Sequence, residues 1–213
     1  MALLLYCVAD SVAQLNSQTG VRGSTVSASE HSGVKVFYSE NTTPEVWLRE
    51  PLRSSARQFH GVQQELFRAG AIIPFRFPTI LESCDQLREH LDLRATEYKS
   101  LLRQFANRVQ IDLALRHATG PPAASSGLDY LRQRQTCGRL LKHFAADLQA
   151  LATPLAKDWR QRSVSNGVRC FALVEREQIH AFSERMKTIF VPGGLSVRIS
   201  GPWPVAEFLD FST

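Results

Sequence analysis

Arg160-Gln161-Arg162-Ser163-Val164-Ser165-Asn166-Gly167-Val168-Arg169-Cys170-Phe171-Ala172-Leu173-Val174 reads as two extended runs joined by Asn166-Gly167. That dipeptide fits a type I′ hairpin, because both central residues of such a turn need positive φ. Upstream, Leu141, Phe144, Leu148, Leu151 and Leu155 follow an a/d-like spacing over too few heptads for a coiled coil, so a core-facing helix is expected, with Pro154 distorting its last turns. Before it, Gly120 to Gly127 is a Gly/Pro/Ser/Ala loop. Before that loop, Val109, Ile111, Leu113 and Leu115 alternate with Gln110, Asp112, Ala114 and Arg116, as in a half-buried strand. Downstream of the hairpin, Ile179, Phe182, Met186 and Ile189 mark one more helix. Leu195, Val197 and Ile199 alternate as a final strand after Pro192-Gly193-Gly194. From Val109 the order is strand, helix, strand, strand, helix, strand, the split βαβ arrangement of ferredoxin-like domains.

The first part of the chain reads as a separate α+β unit. Leu3 to Ala9 is a continuous apolar strand, and extended runs at Val21–Ser27 and Val34–Tyr38 flank a polar turn over Ser29 to Gly33. Thr43-Pro44-Glu45 is a helix start, Leu52, Ala56, Phe59, Val62 and Leu66 recur at helical spacing, Pro51 kinks or restarts the helix, and Gly70 is the expected C-cap. Ala71 to Leu81 is extended, with Pro74 and Pro78 each removing a ladder donor, which argues for an edge strand. Ser83 and Gln86 have capping-box spacing ahead of a helix carrying Leu87, Leu91, Tyr98, Leu101 and Phe105 to about Arg108. This helix sits between the two units. The expected architecture is α+β in two domains: an N-terminal α+β domain over residues 1–82 and a C-terminal modified ferredoxin-like domain with an additional helix over residues 83–213.

The 213 residues, 44% hydrophobic, suffice for a well-buried core. The formal net charge of +5 is spread from Arg22 to Arg198 with acids interspersed, as on a solvated surface, rather than gathered into a phosphate-binding track. Cys7, Cys84, Cys137 and Cys170 lie far apart with no C-x-x-C pair, so buried thiols are expected and no metal site. Met1 to Ala9 lacks a basic n-region, and no apolar run approaches the roughly 20 residues that span a bilayer. A cytoplasmic protein is expected. H-E-x-x-H, P-loop, G-x-G-x-x-G and G-x-S-x-G are all missing, so no enzyme signature and no cofactor is spelled out. His60 and His180 fall near apolar helix faces and read as structural. The glycines of Pro192-Gly193-Gly194 precede a strand, whereas a phosphate cradle needs them before a helix N-terminus. Ferredoxin-like sheets include RNA-binding modules, and Arg169 and Phe171 are the residues to compare. Phe171 lies in an apolar run without the aromatic-rich signature, so core packing is the better account and a basic nucleic-acid-binding module is the alternative reading.

Three segments together resemble the gas vesicle protein family GvpF/GvpL. Ala71-Ile72-Ile73-Pro74-Phe75-Arg76-Phe77-Pro78-Thr79 is similar to its "LPLRFGT" stretch, Gly127-Leu128-Asp129-Tyr130-Leu131-Arg132 to its "G-x-x-YL" helix start, and Ser200-Gly201-Pro202-Trp203-Pro204 to its closing "TGPWPP" turn. The likeness extends from Leu5 to Phe208. The resemblance implies two α+β domains, no enzymatic activity, location at the gas vesicle, and contact with the small hydrophobic shell protein or other accessory proteins. The partner-binding candidates it brings forward are Phe75, Arg76, Phe77, Tyr130, Arg132, Trp203, Pro204 and Phe208.

A protein that handles shell subunits with an apolar face needs aromatic and aliphatic anchors inside a polar rim. Trp203 on a proline-fixed turn is a low-entropy anchor of that kind. The competing reading is that its ring folds back to cover the end of the sheet. Arg76, between Phe75 and Phe77, likewise reads either as a contact residue or as the polar side of an edge strand paired to a carboxylate.

Overall fold

The computed structural model describes residues 1–10, 13, 19–48, 51–117, 126–165 and 167–210, with the side chains at 130, 133 and 134 outside that description. In chain order the elements are β1 (Ala2–Asp10), β2 (Ser27–His31), β3 (Val34–Asn41), α1 (Glu45–Leu48), α2 (Leu52–Ala69), β4 (Ile72–Pro74), β5 (Ile80–Leu81), α3 (Cys84–Gln104), β6 (Arg108–His117), α4 (Gly127–Ala152), β7 (Ala156–Val164), β8 (Gly167–Glu175), α5 (Ile179–Lys187) and β9 (Leu195–Trp203). They build an α+β protein with two antiparallel sheets, β2-β3-β1-β4 with β5 also on β1, and β7-β8-β6-β9. Two compact units result: Met1–Asn107 with Pro204–Phe211, and Arg108–Trp203. The division therefore falls before β6 rather than at the expected residue 82, because α3 packs on the first sheet.

That packing explains the apolar run of β1. Leu87, Leu91, Ala95, Tyr98 and Leu102 of α3 form one cluster with Leu3, Leu5, Val8, Val34, Val36 and Ile73. On the opposite face Tyr6 meets Phe59 of α2, ring centroids 5.0 Å apart. A strand covered on both faces has no solvent side to fill with polar residues. Each fully buried aliphatic or aromatic side chain here stabilises the fold by roughly 1.5–3 kcal/mol. Several polar groups left inside are paired, whereas the buried Trp47 Nε1 has no hydrogen-bond partner among the described residues. Tyr6 Oη lies 3.0 Å from Ser39 Oγ and accepts the Val21 N–H at 3.0 Å, and buried Gln63 Nε2 donates to the Tyr6 carbonyl at 2.7 Å and the Phe75 carbonyl at 2.8 Å.

Several local expectations are revised in the first unit. The hairpin arm is Ser27–His31, not Val21–Ser27, and Val21–Gly23 is a 3-10 turn. The turn is Ser32-Gly33 with φ of 50° and 72°, the pair of positive values that a two-residue type I′ hairpin requires. Gly70 follows α2 with φ 177°, an extended conformation open to any residue, so it is not a left-handed cap. Pro51 does restart the helix, standing between α1 and α2. Ala71–Leu81 is split into β4 and β5, both on β1, with the two prolines at the break. Ser83 Oγ caps α3 by accepting the Gln86 N–H at 3.2 Å, and Gln86 Oε1 accepts the Glu82 N–H at 2.9 Å. His60 is exposed, 3.2 Å from Gln63 Oε1, and His180 is exposed. Cys84 is exposed and Cys137 half-buried, so only Cys7 and Cys170 are buried thiols; burial pushes Cys170 up to about 12.

The second unit has the expected ferredoxin-like order and strand neighbours. β7 pairs with β8 from Ala156↔Val174 to Val164↔Gly167, so the hairpin that decides the fold is formed, but Gly167 is the first residue of β8 opposite Val164 rather than the second central residue of the turn. Its Asn166, like residues 120–125 of the expected loop, lies outside the described residues. The helical side of this core is Leu141, Phe144, Ala145 and Leu148 of α4 with Phe182 and Met186 of α5. β6 departs from the half-buried expectation: Val109 through Leu113 are buried at every position, Gln110 and Asp112 included. Their polarity is absorbed locally, since Gln110 Nε2 donates to Asp112 Oδ1 at 2.7 Å and Arg169 Nη2 to Asp112 Oδ2 at 2.6 Å.

Candidate functional site

The final strand is longer than its alternating residues suggest. β9 continues through Ser200-Gly201-Pro202-Trp203, so the closing motif is strand rather than a turn after a strand. Asp112 pairs with Ser200 and Gln110 with Trp203, so Gly201 and Pro202 of β9 stand against the single residue Ile111 of β6, which is a β-bulge. Gly201 has φ 131°, and a Cβ there would stand 2.9 Å from the Gln110 carbonyl and 3.2 Å from Trp203 Cδ1. Only glycine permits that approach. The bulge re-aims Trp203, whose indole is 37% exposed with Nε1 3.4 Å from Ser200 Oγ.

β9 pairs with β6 alone and is an edge of its sheet, with Ile199 also 37% exposed. An edge strand presents unpaired N–H and C=O groups, and alternate side chains beside them supply specificity for an added strand. Ile199 is paired with Leu113 and Trp203 with Gln110, so the two side chains flank the free edge from opposite faces of the sheet, and the candidate site is the edge backbone with Trp203 on one face and Ile199 on the other.

The other residues singled out from the sequence are placed as follows. Phe75 and Phe77 are half-buried in the first unit, Phe75 against Tyr98 at 6.5 Å and Phe77 against Phe59 at 5.2 Å between ring centroids. Arg76 between them is exposed, and among the described residues no carboxylate pairs with it, against the expectation of an ion pair. Pro204 and Phe208 are buried and present no surface. Arg132 is exposed on α4, and the Tyr130 side chain lies outside the described residues.

Two exposed apolar features lacked a decisive sequence signal. No described side chain from Gly127 to Leu140 is buried, so the front half of the 26-residue α4 carries Leu128 and Leu131, 65% and 57% exposed, without a core to face. Phe190 is 83% exposed just after α5; its place immediately past the helical series ending at Ile189 was the available hint. No group of three or more His, Cys, Asp or Glu side chains capable of holding a metal ion occurs among the described residues. No described helix is long and apolar enough to cross a membrane.

Comparison with known proteins agrees with this architecture. The family described as gas vesicle synthesis protein GvpL/GvpF matches residues 2–210. Gas vesicle protein L1 of Halobacterium salinarum is 24% identical over 251 residues, covering 96% of this chain and 89% of the relative. The crystal structure of GvpF from Anabaena sp. PCC7120 superposes with a TM-score of 0.81 at 14% identity, covering 100% of this chain and 97% of that one. GvpF from Microcystis aeruginosa gives 0.70 at 13% identity, over 97% and 98%.

Proposed function

The chain belongs to the gas vesicle synthesis protein GvpL/GvpF family, and from that premise we propose that it is a non-catalytic gas vesicle assembly or minor structural protein, working in the cytoplasm and at the vesicle, that binds the small hydrophobic shell protein or other accessory proteins through the outer edge of β9. The observation that carries this reading is the exposed indole of Trp203, set by a bulge beside an unpaired strand edge. A small hydrophobic partner that adds an extended segment offers the two complements this edge lacks: backbone groups for the strand and aliphatic side chains for Trp203 on one face and Ile199 on the other. An aromatic anchor at the centre of such a patch is worth about 2 kcal/mol or more, while the flanking residues serve mainly to exclude water. The absence of an enzyme motif from the sequence and the gas vesicle family description support a binding role over catalysis.

Co-purification of the full chain with the shell protein, washed from about 0.1 M to about 1 M NaCl, tests this reading, since apolar association survives salt that screens charge contacts beyond about 3 Å. Retention through the high-salt wash is expected. Loss of every gas vesicle component in that wash would contradict it.

A further inference from the structure

The second sheet has a charged end that the β9 edge does not explain. Arg162 stands opposite Arg169 on the β7–β8 ladder, Arg169 opposite Ala114, and Ala114 opposite Arg198. Directly opposed residues share a face, so three arginines and one alanine form a single row across four strands. Arg116, two residues along β6, joins the same face. Arg162, Arg116 and Arg198 are exposed, and the Arg169 side chain is 41% exposed.

Like charges directly opposite each other destabilise a sheet, yet here Arg162 and Arg169 are held together over one ring, at 5.3 and 5.2 Å from the centroid of Phe171. Asp112 pairs with Arg169 at 2.6 Å. The other acids of this face stand toward its far end, where Asp158 meets Arg160 at 3.8 Å and Glu175 meets Lys157 at 3.1 Å. Among the described residues neither Arg116 nor Arg198 has a side-chain partner. The Ala114 position between the arginines leaves a shallow floor that a side chain from outside can reach.

We propose that this arginine-lined end of the second sheet is a docking surface for an acidic, carboxylate-rich segment of a partner protein. Planar guanidinium groups match carboxylates well, and the Asp112–Arg169 contact, Nη2 to Oδ2 at 2.6 Å, is a guanidinium–carboxylate pairing already made once within the fold. Neighbouring strands are about 4.8 Å apart, so Arg169 and Arg198 stand about 10 Å from each other, the span of three residues of an extended segment crossing the strands. A nucleic acid fits less well. Base recognition on a sheet needs exposed rings beside the cations, whereas Phe171 is 1% exposed beneath its two arginines. Trp203, opposite Gln110 on the same face, stands four residues of β6 from the Ala114–Arg198 pair, roughly 13 Å away. This surface is separate from the Trp203 anchor and stands whether or not that anchor binds shell protein.

The test uses the full chain with two probes of equal charge, a fluorescein-labelled deca-glutamate peptide and a single-stranded oligothymidylate. The peptide is expected to bind more tightly than the oligonucleotide. Binding is expected to weaken at least tenfold in the R116Q/R198Q double variant and less than twofold in R57Q, which removes an exposed arginine of α2. Circular dichroism and melting of the double variant should match the parent or show a higher midpoint, because like charges have been removed. Equal peptide binding by the double variant and the parent overturns the proposal. Tighter binding of the oligonucleotide also overturns it, in favour of a nucleic-acid surface.

Discussion

Trp203 pairs with Gln110 one residue out of step with the Ser200–Asp112 pair, so the closing segment of β9 is displaced and its indole re-aimed by a single extra residue. The buried amide of Gln110 is fixed by Asp112, which in turn is held by Arg169, so the strand against which the bulge forms is rigid. A side chain that is ordered before it meets a partner loses little further entropy on binding. The exposure of Trp203 and the burial of Gln110 are thus two results of one irregularity in the ladder.

Gly201→Ala should disturb this geometry directly. The added methyl group would meet the Gln110 carbonyl at 2.9 Å from a backbone with φ 131°. A destabilisation of about 1–3 kcal/mol is expected, the usual cost of forcing a non-glycine residue into such a region. Urea unfolding measures it; a midpoint unchanged from the parent would show that the bulge relaxes without cost.

Gln63→Leu should destabilise the first unit. The substitution leaves the Phe75 carbonyl without its 2.8 Å donor and takes one of two donors from the Tyr6 carbonyl, which keeps the Phe75 N–H at 2.9 Å. One buried acceptor losing its partner costs about 1–3 kcal/mol. Gln63→Glu should be worse, since it sets a carboxylate against two carbonyl oxygens. A melting midpoint for the leucine variant equal to that of the parent would remove the structural role assigned to this amide.

Acid should weaken the first unit through His90. Its Nε2 lies 2.7 Å from Tyr98 Oη, and burial, reinforced by Arg94, holds the imidazole below its ordinary value. The unfolded chain therefore binds a proton more readily than the folded one. Stability from this group is fully present above the ordinary histidine value near 6.5 and is lost as pH falls from there through the depressed folded value. His90→Gln should flatten that part of the stability-versus-pH curve while keeping a hydrogen-bonding group beside Tyr98. An identical acid slope in parent and variant would assign the titration to another group.

The ferredoxin-like unit was legible because its strands and helices carry clean periodicities and its hairpin joins adjacent runs, so each element could be assigned from nearby residues. Burial of β6 was not legible. Gln110 and Asp112 look like a solvent face until Arg169, 57 residues later, supplies the charge that lets Asp112 stay inside. The turn over Ser29 to Gly33 was legible but its true bounds at Ser32-Gly33 were not, for a local reason: Ser27–His31 is polar enough to pass for loop, and serine gives no warning of a φ of 50°. Among the candidate site residues, composition alone could not separate exposed Trp203 from buried Pro204 and Phe208. They adjoin in sequence, but β9 ends at Trp203 and Pro204 begins the segment grouped with the first unit. The front half of α4 was obscured because Leu128 and Leu131 have the spacing of a core face with nothing described to cover them.

The most direct test of the account is Trp203→Ala, measured for both melting and shell-protein binding on the same preparation. With the indole 37% exposed, its removal should leave the melting midpoint nearly unchanged while weakening shell-protein binding by about 2 kcal/mol or more, roughly thirtyfold. The contrary result is a stability loss of about 3 kcal/mol or more, the cost of truncating a buried aromatic, with binding lost only in step with unfolding. That outcome would make Trp203 a cap on the second sheet and remove the anchor on which the proposed function rests.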